Sequence, residues 1–212
     1  MTRKKKLLLI ISFSVVLTFF IYRVCYDKKA DILVMGDSLC YGQTLYGIKG
    51  YSYNDYLKDY YTKNNLLKSY NSDYCYADNF TKELLESIAN NNISTNNLTI
   101  NQLIANAEII TIGIGIDELN SNNYNTYLNN IDYLLQNIRK INKKKIYLIG
   151  LFGDNEKISD VNEWLSKIAL KNDTEYIPIN ELNTEAYLFQ PNTKYLNYRG
   201  QEIIYQKIIA KS

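Results

Sequence analysis

The chain has 212 residues, which is enough for one domain of ordinary size with a short appendage. Its formal net charge is +2, but residues 1–30 hold seven basic residues and one acidic residue, so residues 31–212 carry a net charge of −4. This mildly acidic body argues against a nucleic-acid-binding protein. The chain has no histidine, and its three cysteines lack metal-ligand spacing. We therefore expect neither a metal nor a cofactor.

The N-terminus predicts a membrane anchor. Residues 1–6 contain one arginine and three lysines, and the next sixteen residues are apolar or uncharged. A helix over residues 7–26, at about 1.5 Å per residue, approaches the ~30 Å thickness of a bilayer core. No small-residue cleavage site follows, which favours a retained signal-anchor. The positive-inside rule then predicts a single-pass protein of the cell membrane, with residues 1–6 in the cytoplasm and residues 27–212 as an extracellular domain.

Residues 27–212 alternate between short apolar segments and amphipathic segments, which predicts a parallel sheet covered by helices on both faces. The expected architecture is a three-layer α/β/α sandwich with five strands. Right-handed crossovers would bring Ser38, Asp117 and the 192–195 loop to one sheet edge. Strands are predicted at 32–35, 68–76, 107–114, 145–151 and 175–179, helices near 53–61 and at 79–88, 124–141, 158–170 and 200–210, and irregular segments at 90–101 and 181–195.

The first predicted strand ends in the sequence Gly36-Asp37-Ser38-Leu39. A serine at the carboxyl end of a parallel strand lies where open α/β sheets bind their ligands. The alternative is a plain strand-to-helix turn in which Ser38 or Asp37 caps a helix. The G-D-S-L sequence resembles the first block of the GDSL (SGNH) hydrolases. That resemblance implies a flavodoxin-like sandwich in which Ser38 is the nucleophile and its backbone N–H helps to form an oxyanion hole.

The later blocks match the family in position and differ from it in identity. Gly115 to Glu118 corresponds to the family's G-x-N-D, so Asp117 stands where the resemblance implies an oxyanion-hole asparagine. Asp78 is the best match for the oxyanion-hole glycine. A carboxylate about 3.5 Å from a developing oxyanion would repel it by roughly 5 kcal/mol at an effective dielectric constant of 20. The predicted oxyanion hole is therefore electrostatically unfavourable.

The segment from Pro191 to Gly200 resembles the family's D-x-x-H-x-N-x-x-G. Asn192 stands at the catalytic aspartate and Tyr195 at the histidine, while Asn197 matches the family's asparagine. A tyrosine, with a reference pKa of about 10, is a poor general base at neutral pH. Two substitutes for the histidine are open: Asp117 as the base for Ser38, or a Ser–Lys pair formed with Lys194.

Two functions follow from these residues. The first is a membrane-anchored ester hydrolase, of the esterase, lipase or carbohydrate O-deacetylase type, with Ser38 as nucleophile. The second is a catalytically inactive homologue that binds an envelope glycan or lipid. A scaffold without a ligand is a third reading. The expected partners are the membrane and a small ester or glycan, and the sequence predicts neither an oligomeric state nor whether the protein is an enzyme.

The cysteines leave two states open. Cys40 and Cys75 lie near the ends of neighbouring predicted strands, so a disulfide between them is feasible. The odd number of cysteines fits no complete disulfide framework. We therefore expect buried free thiols.

Overall fold

The computed structural model describes residues 12–18, 29–118, 124–153 and 157–212. Residues 12–18 form an exposed helix, α1. Within these ranges, no helix combines the length and the hydropathy that a membrane crossing requires. The predicted anchor, residues 7–26, falls mostly outside the described residues, so membrane anchoring stays a prediction.

The five predicted strands form one parallel sheet, which confirms the predicted α/β architecture. The strand order is β2-β1-β3-β4-β5. Isoleucine, leucine and valine dominate the central strands, and β3 is buried along its whole length, as expected for a sheet covered on both faces. The strands are β1 (Ala30–Gly36), β2 (Leu67–Cys75), β3 (Ile109–Gly113), β4 (Lys145–Ile149) and β5 (Glu175–Ile177).

Two layers of helices enclose the sheet. Helix α3 packs against α8, whereas α4, α5 and α7 pack against α6. Each long helix turns an apolar face inward, and Leu134, Leu165 and Ile204 are fully buried in this way. The helices are α2 (Ser38–Tyr41), α3 (Tyr53–Lys63), α4 (Thr81–Ala89), α5 (Ile100–Asn106), α6 (Tyr124–Ile141), α7 (Ile158–Lys171) and α8 (Tyr198–Ala210).

The chain changes direction across the sheet between β1 and β3. From β1 it crosses to β2 on one side, and it then returns to place β3 on the other side. The carboxyl ends of β1 and β3 are therefore adjacent, and the Asp37 N–H donates to the Gly113 carbonyl at 3.0 Å. Open α/β sheets bind ligands at such a switch point.

The sequence analysis missed helix α5, because the asparagine-rich segment before it predicts a loop. The helix begins with a capping box in which Thr99 and Gln102 each bond the other's backbone N–H. Ile100 and Ile104 are fully buried and hold it against the core. Helix α8 likewise begins two residues earlier than predicted, because Asn197 caps it.

The expected free thiols are wrong for two of the cysteines. Cys40 and Cys75 form a disulfide, with Cα atoms 5.8 Å apart. Cys75 is in register with Gly36 at the end of β1, and α2 begins two residues later, which carries Cys40 over the end of the neighbouring strand. Cys25 lies outside the described residues.

Candidate active site

The turn after β1 is fixed by its backbone as much as by its side chains. Gly36 has a φ of +152°, and a Cβ atom there would lie 2.0 Å from the Gly113 carbonyl oxygen. Only glycine allows β1 and β3 to approach this closely at their ends. The buried Asp37 then caps α2 by accepting a hydrogen bond from the Leu39 N–H at 3.0 Å.

Asp37 also joins the first turn to the loop after β3. Its Oδ2 atom accepts hydrogen bonds from the N–H groups of Gly115 at 2.7 Å and Asp117 at 3.3 Å. Burial, and then the negative charge of Asp117, raise the pKa of Asp37 to about 7, although the backbone donors oppose both effects. Asp37 is fully buried, so its role is to hold the two loops together.

The Ser38 hydroxyl is not hydrogen-bonded to a base among the described residues. The residue is 2% exposed, and its Oγ atom makes no hydrogen bond to any described residue. Its backbone N–H donates instead to the Asp117 carboxylate, at 3.3 Å from Oδ2. The donor that the family resemblance assigns to the oxyanion hole is thus already occupied by a side-chain anion.

The predicted convergence of the first, third and last units at one edge is confirmed. The Lys194 ammonium lies 3.3 Å from the Oδ1 atom of Asp117, so Asp117 bridges the Ser38 backbone and Lys194. The Asp117 side chain is 9% exposed, whereas that of Lys194 is 45% exposed. A carboxylate in this position gains a cationic partner on its solvent side and a backbone donor on its buried side.

The predicted replacement for the catalytic pair does not form a relay to Ser38. The Tyr195 hydroxyl accepts a hydrogen bond from Gln43 Nε2 at 3.1 Å. Asn192 is exposed in a turn, with a φ of 55°. Among the hydrogen bonds of the described residues, none joins either side chain to Ser38. In this structure the pair therefore does not serve Ser38 as a base.

Solved structures share this architecture. An acetylxylan esterase from Geobacillus stearothermophilus matches with a TM-score of 0.64 and 15% identity, over 85% of this chain and 93% of its own. A family 3 carbohydrate esterase from Clostridium thermocellum matches at 0.65 and 15% identity, over 86% and 94%. A lipase/acylhydrolase from Enterococcus faecalis matches at 0.65 and 15%, over 85% and 93%. No family model and no curated protein matches the sequence.

The chain has the fold of the GDSL (SGNH) hydrolases. The fold that the G-D-S-L sequence implied is therefore confirmed, and Ser38 follows its first strand. At 15% identity the likeness concerns the fold alone. The chemistry of this chain has to be argued from its own residues.

Three further residues at positions of the SGNH motifs serve the scaffold. Asp78 is exposed with a φ of 58°, the left-handed region that favours glycine, which agrees with its alignment to a glycine. Glu118, whose pKa is raised by burial, accepts hydrogen bonds from the N–H and hydroxyl of Thr81 and so fixes the start of α4. Asn197 caps α8 through the N–H groups at its start.

Two glutamines that the sequence analysis missed tie the site loops together. Gln190 accepts from the Leu45 N–H at 2.9 Å and donates to the carbonyls of Gln43 and Leu196. Together with the Gln43–Tyr195 bond, these contacts fasten the hairpin after α2 (residues 43–49) to the loop before α8. Nothing in the sequence marks a loop glutamine for such a role. Within the part of the chain that the structure describes, no group of three or more acidic, cysteine or histidine side chains is placed to hold a metal ion.

Proposed function

We propose that this protein binds an ester or glycan ligand outside the cell membrane, at the carboxyl edge of its sheet, and does not cleave it by the serine–histidine route. The observation that carries the proposal is the Asp117 carboxylate, which accepts from the Ser38 N–H and pairs with Lys194. An oxyanion formed at Ser38 would have to displace this anion. Losing one neutral donor from such a hole already costs about 10²–10³ in rate.

The absence of histidine from the whole sequence supports the same conclusion. A serine hydroxyl needs a neighbouring base to become an effective nucleophile, and the Ser38 Oγ has no described partner. The loops that follow β1, β3 and β5 still meet at this edge. Polar groups of Gln43, Tyr195 and Lys194 border this edge.

A carbohydrate is the ligand class that these surroundings favour. Tyr46, at the tip of the hairpin after α2, is 78% exposed, and its neighbour Leu45 is held by Gln190. An exposed aromatic ring suits the apolar face of a sugar, and the amide and carboxylate groups of the same edge suit its hydroxyls. Two of the solved proteins with this fold are an acetylxylan esterase and a carbohydrate esterase.

The location outside the membrane rests on two features. The basic residues 3–6 and the uncharged residues 7–22 form the sequence pattern of a signal-anchor. The Cys40–Cys75 disulfide supports an oxidising compartment, because disulfides persist outside the cytoplasm and are rare inside it.

A second candidate function is ester hydrolysis with Lys194 as the base. It is favoured by the free hydroxyl of Ser38, which no described residue engages, and by the Lys194 ammonium on the neighbouring carboxylate. Hydrolysis would require Asp117 to leave the Ser38 N–H and Lys194 to lose its proton. Each requirement adds to the barrier, so we rank this function second.

One experiment separates the two functions. We would treat the protein with a fluorophosphonate probe, map the label, and use Ser38→Ala as the control. The proposal expects no label at Ser38, together with saturable binding of an acetylated xylo-oligosaccharide followed by NMR. Lys194→Ala should weaken that binding about tenfold, as loss of a charged hydrogen bond does, while Lys207→Ala should not. Label at Ser38 that Lys194→Ala abolishes would establish the second function. Absence of saturable binding would overturn the first.

A further inference from the structure

The edge of the sheet opposite Ser38 is strongly basic. Since all five strands are parallel, their amino ends share this edge, which we name the amino-edge face. A depression of about 520 Å³ opens there beside the first residues of β1, β3 and β4. Its lining includes six basic side chains: Lys29, Arg139, Lys143, Lys144, Lys145 and Lys211.

Three of the six basic residues interact with the three acidic residues of this face. Glu108 pairs with Lys144 at 3.1 Å, and Glu175 pairs with Lys211 at 3.3 Å. The negative charge of the third acidic residue, Asp173, acts on the guanidinium of Arg139, which also donates to the Asp173 backbone carbonyl. Six basic and three acidic side chains leave the face with a net charge of +3, although residues 29–212 as a whole carry a net charge of −3.

Three lysines carry this surplus. The side chains of Lys29, Lys143 and Lys145 make no hydrogen bond or ion pair with any other described residue, and the last two are exposed. Lys143 lies beyond the last turn of α6, and Lys145 opens β4. Neither belongs to the last turn of α6, where basic side chains stabilise the helix dipole most. Arg139, inside that turn, donates hydrogen bonds to the backbone carbonyls of Asn172 and Lys144.

The position of the N-terminal segment gives this charge a partner. Lys29 lines the amino-edge face, and β1 begins one residue later, so the chain enters the domain at this face. The apolar segment that we propose as the anchor ends a few residues before Lys29. An anchor that ends this close to Lys29 would keep the face near the surface of the bilayer.

We infer that the amino-edge face docks on anionic phospholipid headgroups of the membrane that the N-terminal segment enters. Lysines near such a surface are attracted by its negative potential. The inference rests on the proposed anchoring for its orientation and is independent of what Ser38 does. The inference also favours one ligand class for the site at Ser38. Because β1 spans seven residues, Ser38 would lie about 23 Å above the headgroups, on the side of the domain that faces away from them. A site in that position serves a glycan outside the bilayer better than a bilayer lipid.

The test uses residues 29–212, which contain the whole sheet, both helix layers and the disulfide. We expect this body to co-sediment with phosphatidylglycerol-containing vesicles, to bind phosphatidylcholine vesicles far less, and to dissociate as salt is raised. Changing the three surplus lysines to glutamine (Lys29→Gln, Lys143→Gln and Lys145→Gln together) should weaken binding to the anionic vesicles roughly 100-fold.

The matched control makes the same change in charge at the other edge, with Lys49→Gln, Lys82→Gln and Lys157→Gln together. These residues lie in the hairpin after α2 and at the starts of α4 and α7. We expect their vesicle binding to stay near that of the unchanged body. Equal loss in both variants, or equal binding to both lipids, would overturn the inference. Extraction of the full chain from membranes by alkaline carbonate tests the anchor separately, so failure of the anchor and failure of the face are distinguishable.

Discussion

The turn after β1 and the loop before α8 both hold structural residues of the SGNH motifs, but they differ in the catalytic residues that they hold. In the turn after β1, Gly36 permits close strand contact, Asp37 accepts three backbone hydrogen bonds, and Cys40 is covalently fixed. Ser38 is therefore held as firmly as a nucleophile requires. In the loop before α8, Asn197 still caps the helix and Gly200 still packs against the Leu188 carbonyl.

The second loop has no side chain that can transfer a proton to or from Ser38 through the hydrogen bonds of this structure. Tyr195 bonds Gln43, and Asn192 faces solvent. The motif positions that support the fold hold residues that can cap a helix or allow close packing. The motif positions that would transfer a proton hold residues that cannot transfer one. This difference indicates that the caps and close contacts of these two segments stabilise the fold, and that the fold does not need a catalytic aspartate and histidine. On the proposal above, the Asp117 carboxylate at the Ser38 N–H is a second and separate obstacle to catalysis.

The largest effect should come from repairing both defects together. We expect Asn192→Asp with Tyr195→His to leave fluorophosphonate labelling of Ser38 at background, because Asp117 still occupies the Ser38 N–H. Adding Asp117→Asn should raise the labelling rate by at least about 10²-fold, since it removes the anion while a base is present. The measurement is the rate of labelling by mass spectrometry. If the double variant is labelled as fast as the triple variant, Asp117 does not block the site.

A smaller effect should follow from breaking the turn after β1. Gly36→Ala would place a methyl group 2.0 Å from the Gly113 carbonyl oxygen. Gly47→Ala is the control, because Gly47 has a φ of +73° but open space around it. Strain alone should cost Gly47→Ala about 1–2 kcal/mol in the free energy of unfolding. Overpacking should cost Gly36→Ala a further ~1–3 kcal/mol. Equal losses in urea denaturation would mean that the close approach of β1 and β3 is not needed.

Hydrophobic periodicity was sufficient to predict the sheet. Segments such as residues 109–113 are short and almost wholly apolar, and such runs are typical of a parallel strand covered on both faces. The amphipathic segment of α6 was predicted with both its ends. Helix α5 was missed because its signal is a capping box of two polar residues, Thr99 and Gln102, inside a polar segment.

The site was predictable only as far as topology determines it. Crossover handedness brought Ser38, Asp117 and Lys194 together correctly. The partner of each side chain depends on distances of an ångström or two, and no pattern in the sequence encodes the bond from Gln43 to Tyr195. The prediction of free thiols at Cys40 and Cys75 was wrong for a related reason. The number of cysteines says whether all of them can pair, but it does not say which two lie side by side in the sheet.

The smallest effect concerns the pH dependence of the turn after β1. Burial, and then the charge of Asp117, raise the pKa of Asp37 from its ordinary value of 3.8 to about 7. The folded protein therefore binds this proton more tightly than the unfolded chain. The stabilisation is complete below about pH 4 and is lost as the pH rises to about 7. This group alone contributes a slope of at most about 1.4 kcal/mol per pH unit.

Asp37→Asn should remove that contribution, so its free energy of unfolding should depend less on pH between 4 and 7 than that of the unchanged protein. Asp117→Asn should move the window to lower pH, because it removes the charge that helps to raise the pKa of Asp37. Asp78→Asn, at an exposed carboxylate, is the control. Parallel pH profiles for Asp37→Asn and the unchanged protein would show that Asp37 is ionised throughout. The turn after β1 would then hold two negative charges beside Ser38, Asp37 and Asp117, and would disfavour an oxyanion more strongly still.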